Sequence, residues 1–192
     1  MGWLQRIFGM EKPPADASVS PTPDATASEA IAPERMGLNG EYDESGLAKR
    51  VALAFDQDGD LTDMPSVDVL QTSTIVVLRG KAPSQGLINK LISVASAVSG
   101  ATDVDSSGLV IAPERLGLNG EYDDSGLAKR VVQALQQEAG VSSAAPFDIA
   151  QAGSTVVIQG KVPSQEILAQ MVAIAQGIEG TTAVKTDGVA IG

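Results

Sequence analysis

Residues 31 to 110 align with residues 111 to 190 without a gap, and 35 of the 80 positions are identical. A register held over that length makes each copy a structural unit with its own core, so the chain reads as a tandem pair. Identity is uneven: 19 of the first 21 positions match, but only 16 of the remaining 59. The phrase APERMGLNGEYDESGLAKRV from Ala32 returns as APERLGLNGEYDDSGLAKRV from Ala112. Ahead of the pair stand the opening MGWLQRIFGM and a stretch rich in Pro, Ala and Ser that reads as a flexible linker. The expected organisation is an amphipathic segment over 1–10, a linker over 11–30, and two domains over 31–110 and 111–192.

Within each copy the hydrophobic period changes in the same order. Leu47, Val51 and Phe55, repeated as Leu127, Val131 and Leu135, fall at four-residue steps behind Asp43 and Ser45, either of which can cap a first helix. VDVLQ from Val67 and TIVVLRG ending at Gly80 predict a β-hairpin, as do FDIAQ and STVVIQG in the copy, with Gly153 at the second turn. Gly80 and Gly160 share the inward face of Val76, Leu78, Val156 and Ile158, where a missing side chain is expected to admit a helix. Ser84 and Ser164 then look like N-caps of a second helix, with Leu87, Ile88, Leu91, Ile92, Ala95 and Val98 on its apolar face and Gly100 or Gly180 as its C-cap. A closing strand follows. The fold class is α+β: two tandem domains, each helix, hairpin, helix and strand, with two helices on one face of a three-stranded sheet.

Composition limits the chemistry. The chain has no cysteine and no histidine, which removes disulfides, thiolate nucleophiles, the usual zinc sites and histidine general bases. No catalytic residues and no organic cofactor are expected. Asp plus Glu outnumber Lys plus Arg by 24 to 13, a net charge of −11 that repels phosphate backbones on average, so no nucleic-acid partner is expected. The opening segment is short and broken by Gln5 and Arg6, neither an export signal nor a membrane span. The expected location is cytoplasmic, with peripheral attachment to the inner face of a membrane as the variant.

The run V-x-[LI]-x-G-x-[AV]-P-S, followed by an amphipathic helix, G-x-x-x-V and a closing strand, resembles the BON domain of bacterial osmotic-stress and nodulation proteins. The resemblance covers about 43 to 111 and 123 to 192. Tandem members are commonly linked to envelope integrity or phospholipid contact. The chain also resembles cytoplasmic potassium-binding members that join one BON domain to a LysM domain: it shares their Met-Gly start and the Ser-Gln at 84–85 and 164–165, but has a second copy where they have LysM. That likeness implies potassium binding.

Three places could carry binding. Potassium is best held by neutral oxygens such as main-chain carbonyls, which a helix end leaves unpaired. The expected positions are Ser96, Val98 and Ala101 in the first copy and Gln176, Ile178 and Thr181 in the second, although an ordinary glycine-capped helix end reads the same way. DQDGDLTD from Asp56 has carboxylates at Asp56, Asp58, Asp60 and Asp63 like the start of a calcium loop, but Leu61 and Val67 stand where glycine and glutamate are wanted, and a solvated acidic loop fits as well. Trp3, Leu4, Ile7 and Phe8 fall on one helical face, able to lie in a membrane interface, dock into a partner protein or fold back onto a domain. The repeated phrase, with Tyr42 and Tyr122 as aromatic anchors, fits either packing or a cation or partner surface built from Glu41, Asp43, Glu121 and Asp123. The chain is thus expected to be a non-enzymatic protein binding a monovalent cation under osmotic or ionic stress, with a peripheral membrane or protein-interaction scaffold as the alternative.

Overall fold

The structure, a computed structural model, describes residues 2–11, 31–61, 64–142 and 147–192. It divides into two units, Met1–Ile111 and Ala112–Gly192. The expected linker lies almost entirely outside the described residues, as does Asp63.

Domain 1 contains α1 (Trp3–Phe8), α2 (Gly46–Gln57), β1 (Val67–Thr72), β2 (Ile75–Ala82), α3 (Gln85–Ser96) and β3 (Asp103–Ile111). Domain 2 repeats the plan as α4 (Gly126–Gln137), the short α5 (Ala139–Ser142), β4 (Phe147–Ala152), β5 (Thr155–Val162), α6 (Gln165–Gly177) and β6 (Ala183–Ile191). Each sheet is three-stranded: a hairpin pairs antiparallel, and the closing strand runs parallel to the hairpin's second strand. The parallel pairing is possible because α3 or α6 supplies the crossover. This is the α+β pair expected from the periodicity.

Burial follows the two periods. Val67, Val69, Val76 and Leu78 face inward against Leu47, Val51, Phe55, Ile88, Leu91 and Ala95. The second core gathers Leu127, Val131, Leu135, Val156, Ile158 and Met171. Ser84 and Ser164 cap their helices, each hydroxyl accepting from a backbone N–H three residues on (Leu87, 3.3 Å; Ile167, 3.2 Å).

Glycine is used differently from expectation. α3 stops at Ser96 with Ala97 as its cap, so Gly100 is not the C-cap. It lies in the left-handed region at φ +93°, and a Cβ there would come within 2.8 Å of the backbone of Pro33 and Glu34. Gly180 repeats this against Glu114. Gly80, at φ +121°, makes room for the Ser66 carbonyl at the start of its own hairpin, not for a helix.

Candidate functional site

The repeated phrase folds into a small hydrogen-bonded scaffold. Pro33–Arg35 forms a 3-10 turn, Met36 and Tyr42 make an isolated bridge, and Gly37 N–H donates to the Glu41 carbonyl at 2.7 Å. Gly46 opens α2 so close to the Met36 carbonyl that any Cβ would collide with it. The carboxylates of the phrase serve this scaffold: Glu41 accepts from Asn39 N–H at 2.8 Å, and Asp43 pairs with Lys49 at 2.5 Å while accepting from Ser45 N–H. Tyr42, 61% exposed, is no aromatic anchor; its hydroxyl meets Arg35 instead.

At the centre stands Arg50, 1% exposed. Its Nε donates to the Met36 carbonyl at 2.9 Å, Nη1 to the Ser99 carbonyl at 2.6 Å and Nη2 to the Pro33 carbonyl. Burial pulls its pKa down from the ordinary guanidinium value. The planar fork thus ties the phrase to the loop after α3. Arg130 repeats two of these bonds, to Glu179 (3.0 Å) and Pro113 (2.5 Å), while its buried Nε finds no partner among the described residues. Gln71 and Gln151 complete the scaffold from the first strand of each sheet, accepting from Ala48 or Ala128 N–H at 2.8 Å and donating to the Glu34 or Glu114 carbonyl. Sequence reading passed over both pairs. Their retention at identical positions in the drifted body or at the end of the phrase was the available signal.

The structure sorts the expected cation positions. Ser96 and Ala101 line one polar hollow of about 150 Å³ with Ile92, Thr102, Asp103 and Val104. The Ser96 hydroxyl donates to the Ile92 carbonyl at 2.7 Å, which leaves its lone pairs as acceptors. The carbonyls of Ser96 and Ala97 receive no hydrogen bond from the described residues, as a helix end leaves them. Val98 instead faces the core, and its carbonyl accepts from Ala101 N–H at 3.1 Å. In domain 2 Gln176 is exposed, Ile178 lies beside Arg130 and Glu179 in a different hollow, and the Thr181 hydroxyl is buried without a described partner. Ala183 replaces Asp103, so that copy has no carboxylate at this place.

The acidic loop does not converge. Asp56 accepts from the backbone N–H groups of Trp3 (2.7 Å) and Leu4 (3.1 Å), whereas Asp58 and Asp60 share the Lys90 ammonium at 3.3 and 2.8 Å. Lys90 holds the Asp60 carboxyl below its ordinary range. No cluster of three acidic side chains able to hold a metal ion occurs among the described residues.

The N-terminal segment takes the third of its expected alternatives and folds back. Trp3 and Leu4 are fully buried in domain 1, with the Trp3 ring edge-on to Phe55 at 5.0 Å. Arg6 Nη2 donates to the Val67 carbonyl at 2.6 Å, Arg6 also pairs with Asp68, and Phe8 lies under the Lys49 ammonium. Trp3 and Leu4 are therefore not presented to a membrane or a partner. Among the described residues no helix is long and apolar enough to cross a membrane.

A family model of the BON domain matches residues 43–113 and again 123–192. Among solved structures, one from studies of CdsD, a structural protein of the type III secretion system of Chlamydia trachomatis, is 12% identical and covers 67% of this chain and 86% of its own at a TM-score of 0.31. A second, of the CdsD C-terminal domain, is 14% identical and covers 67% and 92% at 0.30. Likenesses at these scores carry no argument about this chain. No curated protein matches it.

Proposed function

The chain belongs to the BON domain family, and from that premise we propose that it is a non-enzymatic binding protein that holds a monovalent cation, potassium, at the end of α3 and serves in osmotic or ionic stress. The observation that carries this reading is the hollow in which Ser96 and Ala101 meet Thr102 and Asp103. A hydroxyl, the open carbonyl of Ser96 at the helix end and one carboxylate form a set of hard oxygens suited to a weakly demanding cation, and the negative end of the α3 dipole adds to it. Arg50 already occupies the Ser99 carbonyl, so the ion would sit on the Ser96 side of the loop. Domain 1 is the primary site in this reading, because domain 2 has Ala183 in place of Asp103.

Thermal unfolding in choline buffer, titrated separately with potassium, sodium and calcium at constant ionic strength, tests it. A ligand at about one hundred times its Kd adds about 2.7 kcal/mol. For a domain of this size that raises Tm by upward of about 10 °C. The expected result is a potassium-selective rise that Asp103→Asn removes. Equal shifts with sodium and potassium would reject the assignment to potassium, and no shift with either would reject the cation site.

A further inference from the structure

The two domains differ on the face where α1 packs against α2 in domain 1. In domain 1 that face consists of Leu38, Ala48, Ala52, Leu53 and Val69, all buried, with Asp56 at one end. The same positions in domain 2, each 80 residues on, line an open groove of about 460 Å³: Leu118, Ala128, Val132, Gln133, Ile149 and Gln136, with Lys129 at its edge. Leu38 is 7% exposed and Leu118 is 47% exposed, although both belong to the opening phrase that the two copies share almost unchanged. A surface that one copy keeps under a helix is covered by no described helix in the other.

We propose that this groove of domain 2 receives a short amphipathic helix from a partner protein, bound as α1 is bound on domain 1. The occupant's chemistry follows from the template. α1 seats bulky apolar side chains on the first helix and sends Arg6 to the Val67 carbonyl and the Asp68 carboxylate. Domain 2 keeps an exposed acid at the second position, Asp148, and keeps apolar contacts through Leu118, Val132 and Ile149. A helix with large apolar residues on one face and an arginine on its flank complements it. The segment does not come from a second copy of this chain, because Trp3 and Leu4 of α1 are already buried in domain 1. One change makes the occupant exchangeable: Asp56, whose carboxylate accepts two backbone N–H groups at the start of α1, is Gln136 in domain 2, a neutral acceptor. Gln133 in place of Leu53 likewise trades apolar contact for a surface that tolerates water while the groove is empty.

The probe is a synthetic peptide of residues 1–11, titrated into the ¹⁵N-labelled full chain and followed by amide shifts. Saturable shifts over 118–136 and 147–149 are expected, weakened roughly tenfold by Arg6→Glu in the peptide and abolished by Val132→Glu in the chain. Thermal unfolding verifies that the Val132→Glu chain is folded, and Leu118→Ser gives a second, milder variant that should weaken binding. No saturable shift at millimolar peptide would overturn the proposal, as would shifts confined to domain 1. Binding that persists in Val132→Glu would also overturn it. Vesicles of phosphatidylcholine with phosphatidylglycerol provide the last arm: co-sedimentation lost in Val132→Glu, without peptide binding, would assign the groove to a membrane instead.

Discussion

Arg50 and Arg130 show what one side chain does for each domain. A guanidinium satisfying three carbonyls holds three chain segments together, and removing it leaves the buried Met36 carbonyl without that donor and releases those of Ser99 and Pro33. Arg50→Met is expected to destabilise domain 1 by about 3 kcal/mol or more. Arg130 makes two such bonds and is less buried, so Arg130→Met is expected to cost domain 2 clearly less. Urea unfolding of the two variants side by side measures the difference, and equal losses would contradict the account. The neighbouring Gly46, Asp43 and Glu41 are retained in the phrase for the same physical reason: each closes a backbone bond or fits a contact too close for a side chain.

At the scale of elements, α1 is a six-residue helix too short to persist alone, and tertiary packing holds it. Asp56 anchors its first turn, Trp3 supplies its buried surface and Arg6 ties its flank to β1. Trp3 is the chain's sole tryptophan, so its emission reports on this helix alone. Asp56→Ala removes two charge-assisted bonds, each worth about 1.5–3 kcal/mol. The emission is expected to shift to the red and become accessible to an aqueous quencher well below the temperature at which the domains unfold. An unchanged, protected spectrum would show that apolar packing suffices.

For the molecule as a whole, acid is the informative stress. Lys129 holds the Asp123 carboxyl below its ordinary range, Ser107 does so for Asp105 and Lys90 for Asp60. A carboxylate whose folded pKa is depressed contributes stability that is complete above its unfolded value, about 3.9, and is lost as pH falls through the folded value. Tm is therefore expected to hold from pH 7 to about 5 and to fall below about pH 4. Lys129→Met returns Asp123 toward its ordinary pKa and should narrow the difference in Tm between pH 7 and pH 3. A difference as large as that of the unaltered chain would remove Asp123 from the explanation.

The architecture was legible in the letters because it rests on periodicity: Leu47, Val51 and Phe55 at helical steps, Val76 and Leu78 at alternate positions, and Ser84 before a helical run each have one good solution in water, and the repeat states it twice. The segment proposed for the cation was legible only as a location, since main-chain carbonyls leave no mark on side-chain identity; folding then separated Val98, turned to the core, from Ser96 and Ala101 on the hollow. Asp103 belonged to no motif, because its place beside Ser96 is set by β3 returning next to α3. Three other matters were decided by tertiary structure alone. Gly80 answers to the Ser66 carbonyl at the start of its own hairpin and Gly100 to the backbone of Pro33 and Glu34, neither to the approach or the end of a helix. Asp56, Asp58 and Asp60, spaced like cation ligands, turn toward the N-terminal helix and Lys90. The amphipathic stripe of Trp3, Leu4, Ile7 and Phe8 fixed only that this segment needs an apolar surface; which surface it found depended on a face that exists after α2 and β1 have packed.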